Sequence, residues 1–216
     1  MDTPWQNSLP RDLQAVIFDL DGTLLDSFSA HFAAYQATFA HFGIAASLEN
    51  LLRVYSPNWL EVYRGVGLPE QHWSEADAIW LAEAARHTPQ LFPGTLDLLE
   101  ALAARFALGL VTSGSKERVQ RDLERNALAG RFGVVITGGD VRQPKPDPEG
   151  LLSALGQLRV APKQAVFVGD AAADALMAQA AGVSFIGILT QFSGELPGGD
   201  YPRVHSLPEL AQFFSR

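Results

Sequence analysis

Ala15-Val16-Ile17-Phe18-Asp19-Leu20-Asp21-Gly22-Thr23 decides how the rest of the chain is read. Four apolar residues bounded by a glycine-containing turn predict a buried strand. Such a strand would deliver two carboxylates to its C-terminal end, the edge at which open α/β sheets bind ligands. Asp19 and Asp21, at i and i+2, would share one side of an extended segment. One could attack a substrate while the other handled protons or metal. Bare buried charges are unstable, so a cation is expected close by.

Three more segments complete the pattern. Phe106-Ala107-Leu108-Gly109-Leu110-Val111 is a second apolar run, and it ends in Thr112-Ser113-Gly114. Lys145 lies between Pro144 and Pro146, with Asp147-Pro148 after them. Ala165-Val166-Phe167-Val168 runs into Gly169-Asp170, and Asp174 follows. From Val16 to about Val183, in this order and these strand contexts, the segments resemble the four motifs of the haloacid dehalogenase-like (HAD) hydrolase superfamily. The branch they resemble contains phosphoglycolate phosphatases and beta-phosphoglucomutases, which carry a helical C1 cap. A lone Asp-x-Asp says little; the ordered set says much.

The resemblance implies a role for each residue. Asp19 matches the nucleophile that forms an aspartyl-phosphate, and covalent catalysis of this kind splits one difficult step into two. Asp21 matches the general acid/base, and its backbone carbonyl a metal ligand. Thr112, with the backbone N–H of Ser113, matches the donors to a phosphoryl oxygen, which are most effective when preset on a rigid strand. Ser115 could also cap a helix starting at Lys116. Lys145 matches the cation that stabilises Asp19 and the transferring group, and its flanking prolines stiffen the loop. The preceding Gly138-Gly139-Asp140-Val141 also looks like the family's loop.

Asp170 matches a direct Mg²⁺ ligand and Asp174 the second acid of that motif. With Asp19 and Asp21 they form the implied ligand set for a cation that prefers oxygen and bridges carboxylates to phosphate. The i, i+4 spacing of Asp170 and Asp174 would put both on one helix face. Where the family often has a hydroxyl residue after the first Asp, this chain has Ala171. His31 matches a histidine of beta-phosphoglucomutases and several sugar phosphatases and is a candidate substrate contact. Arg53, Arg64 and Lys116 are candidates for the substrate's remaining charge, against the plainer reading of surface residues.

The stretch from Asp21 to Phe106 is too long for an ordinary loop. Phe28, Phe32, Tyr35, Phe39 and Phe42 recur at helical spacing, and Gly43 would end that helix. Asn50 to Val54, Pro57 to Val66 and a segment from Ser74 to about Arg86 read as further helices. Phe28, Tyr55, Trp59 and Trp73 are expected in their core. Residues 27–89 are therefore expected to be an all-helical cap, hinged at Asp26-Ser27 and His87-Thr88-Pro89. Residues 1–26 and 90–216 would form the core. There, helices Thr95–Arg105, Lys116–Leu128, Glu149–Leu158 and Ala172–Ala181 alternate with strands Phe106–Val111, Val134–Ile136, Ala165–Val168 and Phe185–Leu189, and Leu207 to Phe214 closes as a helix. This alternation predicts an α/β fold with a doubly wound, Rossmann-like parallel sheet.

Composition narrows the function. At 216 residues and 47% hydrophobic, the chain can bury one substantial core and a small accessory domain. It has no cysteine, which excludes disulfides and thiol chemistry. A net charge of −8 argues against a nucleic-acid partner. No uninterrupted apolar segment reaches membrane-spanning length. Met1 to Arg11 is polar without a signal-peptide core, so a soluble cytoplasmic protein, monomer or weak homodimer, is expected.

The resemblance favours a Mg²⁺-dependent phosphatase of a small phosphorylated metabolite, its cap closing to exclude water. Dehalogenation is disfavoured because that branch lacks the second Asp. Phosphonate hydrolysis is disfavoured because residues 27–89 contain no lysine to form a Schiff base. A beta-phosphoglucomutase is the runner-up: Asp26, Ser27 and His31 fit it, but Tyr55-Ser56-Pro57 lacks the expected arginine. A catalytically silent binding protein ranks last, because Asp19, Asp21, Lys145 and Asp170 are all present.

Overall fold

The computed structural model describes residues 9–56, 59–190 and 196–214. The chain divides into two compact units, Met1–Asp26 with Leu91–Arg216, and Ser27–Gln90.

The first unit opens with strand β1, Ala15–Phe18, and the two-residue strand β2, Leu25–Asp26. The second unit follows, with helices α1 (Phe28–His41), α2 (Leu48–Val54), α3 (Trp59–Gly65) and α4 (Trp73–Ala84). The expected start of α3 at Pro57 lies outside the described residues. Strand β3, Gln90–Leu91, pairs with β2 in a small separate sheet. Beyond it the first unit resumes with α5 (Thr95–Ala103), β4 (Ala107–Val111), α6 (Lys116–Arg125) and β5 (Val134–Ile136). Then come α7 (Glu149–Leu158), β6 (Ala165–Gly169), α8 (Ala172–Ala181) and β7 (Ser184–Ile188). Strand β8 (Arg203–Val204) and α9 (Leu207–Phe214) end the described chain.

Among the described residues the main sheet has the order β5-β4-β1-β6-β7-β8, parallel throughout. Side chains alternate across a strand, and here they feed two cores. Val16 and Phe18 of β1, with Val166 and Val168 of β6, pack on one face against Leu98, Leu102, Val119, Leu123 and Leu210 of α5, α6 and α9. Ala15, Ile17, Ala165 and Phe167 pack on the other against Leu151, Leu155, Met177 and Ala178 of α7 and α8. Burial on both faces explains why these strands are continuously apolar rather than alternating. The expected doubly wound α/β sheet is the observed one.

The helical unit has its own core of Tyr35, Phe39, Leu51, Val62, Tyr63, Leu68 and Ala76. Two of its polar side chains are tied down internally: Tyr63 donates to Asp77 at 2.8 Å and the Trp73 indole to the Leu68 carbonyl at 2.9 Å. Trp73 packs against this core, but Tyr55 and Trp59 are exposed, contrary to the expectation for them. His87, Thr88 and Pro89 have no regular structure, and the strand Gln90–Leu91 follows them directly.

Leu110 is fully buried at the centre of the first core. Leu110→Ala is expected to destabilise the protein by about 2–5 kcal/mol. Urea unfolding should show this as a lower midpoint with an unchanged slope.

Candidate active site

The site lies at the C-terminal ends of β1, β4 and β6. Just beyond β1, the Asp19 N–H donates to the Val168 carbonyl at 2.9 Å, so the residue stays tied to the sheet although the strand has ended. The chain then turns sharply. Leu24 and Leu25 both donate to the Leu20 carbonyl at 2.9 Å, and Gly22 sits at φ +79°, in the left-handed region. Any Cβ at Gly22 would also overlap the Asp170 carboxylate. The extended reading of Asp19 to Asp21 is thus corrected: the two aspartates lie in a tight loop and turn to different cations.

Asp19 turns to Lys145. The lysine Nζ is 2.6 Å from Asp19 Oδ1 and 2.8 Å from Asp174 Oδ1, with its side chain only 6% exposed. It also lies 5.2 Å from the centre of the Phe167 ring. Asp174 uses its second oxygen to accept the Ala171 N–H at 3.1 Å, at the start of α8. Asp170 precedes that helix, so the two acids do not share a helix face as expected. The Thr23 hydroxyl donates instead to Asp170 Oδ1 at 3.1 Å.

One ammonium therefore serves two buried carboxylates. Burial alone would lower the Lys145 pKa, but Asp174 and Asp19 outweigh it and hold the lysine charged. Burial pushes the Asp19 carboxyl up to about 7, Lys145 opposing and Asp174 and Asp21 adding to the rise. Asp170 is raised too, by burial first and then by Asp19 and Asp174.

Thr112 follows β4, pinned by its N–H to the Ile136 carbonyl at 3.0 Å. Its buried hydroxyl accepts the Gly114 N–H at 3.2 Å, and Ser113 stands between them, partly buried. Ser115 occupies the position before α6, but its hydroxyl makes no capping bond. Asp140 accepts from both the backbone and the hydroxyl of Thr137, which fixes the Gly138–Asp140 turn.

The remaining candidates lie elsewhere or are bound locally. His31 belongs to the helical unit, buried on α1 with its ring 5.3 Å from that of Trp80. Arg53 pairs with Glu49 at 3.0 Å, Arg64 with Glu70 at 3.8 Å, and Lys116 with Asp140 at 3.9 Å. All three cations are exposed, as the plainer reading has it.

Two residues outside the motif reading are buried here. One is Thr23. The other is Arg118 on α6, whose guanidinium forks onto Asp21, Nη1 3.0 Å from Oδ1 and Nη2 on Oδ2. The same Nη1 lies 3.2 Å from Asp122 Oδ2. The signal for Arg118 was its i, i+4 spacing to Asp122 beside the buried Val119 and Leu123.

Comparison with known proteins gives the family. Residues 16–188 match the family described as haloacid dehalogenase-like hydrolase. The chain belongs to that family. A phosphoglycolate phosphatase of Yersinia pseudotuberculosis is 32% identical over 205 residues, covering 88% of this chain and 87% of its own. Pyrophosphatase PpaX of Bacillus pumilus is 32% identical over 190 residues, with 85% and 86% covered. The structure of CbbY from Rhodobacter sphaeroides in complex with phosphate superposes with a TM-score of 0.79 at 25% identity, over 92% of this chain and 96% of that one.

This haloacid dehalogenase-like hydrolase also has a donor set suited to a metal. Carboxylate oxygens of Asp19, Asp170 and Asp174 lie within 4.8 Å of one another. Three carboxylates around a single ammonium leave excess buried negative charge, which fits a hard divalent cation with oxygen ligands. The Asp21 side chain is not in this cluster, so a ligand from that residue would be its backbone carbonyl. No helix among the described residues is long and apolar enough to cross a membrane.

Mg²⁺ at about 100 times its Kd should stabilise the protein by about 2.7 kcal/mol. For a chain of this size that is a rise in melting temperature of about 5–10 °C. Asp170→Asn should abolish the rise. Because the native state holds the Asp19 proton more tightly than the unfolded chain, stability from this group without metal falls as pH climbs from 3.8 towards about 7. Below about 7 a proton competes with the cation, so the Mg²⁺-induced shift should shrink between pH 8 and pH 6.

Proposed function

We propose that this haloacid dehalogenase-like hydrolase is a Mg²⁺-dependent phosphatase of a small phosphorylated metabolite, acting through an aspartyl-phosphate on Asp19. One observation carries the reading: a buried carboxylate at the end of a central strand, held 2.6 Å from a buried lysine. A phosphate monoester is a dianion, so a carboxylate approaches it only where positive charge is fixed beforehand. The activities named for the Yersinia and Bacillus relatives, and the phosphate bound by CbbY, support the same substrate class.

Asp19 Oδ1 stays with Lys145, and Oδ2 attacks phosphorus in line with the ester oxygen. The P–O ester bond breaks as the Asp19–phosphorus bond forms. Asp21 supplies the proton that the departing alkoxide needs. Asp21 then takes a proton from water as that water attacks phosphorus, and the Asp19–phosphorus bond breaks to release phosphate. Lys145 neutralises charge on Asp19 and on the transferring group. The Thr112 hydroxyl and the Ser113 N–H hold a phosphoryl oxygen. Asp19, Asp170, Asp174 and the Asp21 carbonyl would hold Mg²⁺, which supplies further neutralisation of phosphoryl charge.

Phosphate release from phosphoglycolate, sugar phosphates, nucleotides and pyrophosphate tests the reading. Wild type should release phosphate from at least one ester only when Mg²⁺ is present. Asp19→Asn should fall by at least about 10³-fold with unchanged circular dichroism. Near-wild-type turnover in that variant would sink the nucleophile assignment. Interconversion of beta-glucose 1-phosphate with a bisphosphate primer, without net release, would replace a phosphatase with a mutase.

A further inference from the structure

We propose that Arg118 is a positioning residue for Asp21, backed by Asp122 and accommodated by Gly114. The proposal rests on the reading of Asp21 as the group that moves protons.

Arg118 is 4% exposed, a rare state for a charged side chain unless its hydrogen bonds are met. Its two terminal nitrogens meet both Asp21 oxygens, the parallel arrangement that fixes a carboxylate in plane and in direction. Proton transfer falls off steeply with misplacement, so a fork that sets the direction of the carboxylate bears on its rate. Behind the fork, Asp122 is 1% exposed and lies 3.2 Å from Arg118 Nη1, while Arg121 Nε lies 3.6 Å from Asp122. The guanidinium is therefore braced from the helix side.

Gly114 supplies a second, independent indication. A Cβ there would overlap Arg118 Nη2, so the loop that carries Thr112 and Ser113 is shaped to admit the guanidinium. Gly114 also spends its N–H on Thr112 Oγ1 at 3.2 Å. The loop assigned to hold phosphate and the fork that holds Asp21 thus share one glycine.

Leaving-group dependence separates positioning from a merely structural role. An alkoxide needs the Asp21 proton as it departs, whereas p-nitrophenolate leaves without one. The quantity to read is kcat/KM, which reports steps through the first bond cleavage. Phosphoglycolate, or the best alkyl ester of the panel above, is compared with p-nitrophenyl phosphate.

Arg118→Gln should lose about 10–100-fold on the alkyl ester and several-fold less on p-nitrophenyl phosphate. Asp21→Asn should show the same bias more strongly. Arg118→Lys keeps the charge but not the fork, and should retain stability better than rate. If Arg118→Gln folds poorly because Asp122 is left buried without its partner, Arg118→Gln/Asp122→Asn removes both charges together. Gly114→Ala displaces the guanidinium without removing it and should carry the same alkyl-ester bias.

Equal losses on both esters across these variants would overturn the positioning role. A strong bias in Asp21→Asn with none in the Arg118 and Gly114 variants would overturn it while leaving Asp21 as the acid/base. Absence of bias in Asp21→Asn itself would remove the acid/base reading and the proposal with it.

Discussion

One buried ammonium, that of Lys145, stands against carboxylates delivered by two separate segments of chain. Removing a charge from water costs several kcal/mol unless partners replace the hydration. Asp19 follows β1, Asp170 follows β6, and Asp174 lies in the first turn of α8. Lys145 comes from the proline-flanked loop before α7. None is near all the others in sequence, so the charge balance exists only once the sheet has formed. The parallel pairing of β1 with β4 and β6 brings these strand ends together, and the apolar cores on both faces keep them there.

Two systems of charge then grow from adjacent aspartates. Asp19 joins Lys145, Asp174 and Asp170; Asp21 joins Arg118, Asp122 and Arg121. The chain leaves its extended path at Leu20, and the aspartates on either side of it face different cations. Two carboxylates in two environments can take two roles, which is the physical basis for dividing nucleophile from proton carrier. Burial reinforces the division, because Asp19 is 6% exposed while the Asp21 side chain keeps 17%.

The sheet was legible in the sequence because its strands are uninterrupted apolar runs, whereas the Lys145 cluster was legible only through the resemblance of the ordered segments to the family's motifs. Strands buried on both faces leave that signature whatever their neighbours are. Arg118 left almost none: with Asp122 it forms an i, i+4 pair, the same pattern that Arg53 and Glu49 make in full exposure. What distinguishes the two pairs is the partner from a distant segment, Asp21, and distance along the chain hides it. Aromatic character was equally ambiguous, since Trp73 is packed while Trp59 is exposed. Strands of two residues, β2, β3 and β8, are too short to carry any period.

The cation in each system suits the role proposed for its carboxylate. Lys145 is a compact charge with three donors on a flexible stem, able to serve Asp19 and Asp174 in different directions at once. A nucleophile moves towards phosphorus as its bond forms, and a point charge follows that motion without losing its other partner. Arg118 instead offers a rigid planar fork that engages both oxygens of an ionised carboxylate, the form that takes the proton from water in the proposed second step. Under the proposed roles, exchanging the two cations would keep the formal charge but fix the group that moves and free the group that holds its direction.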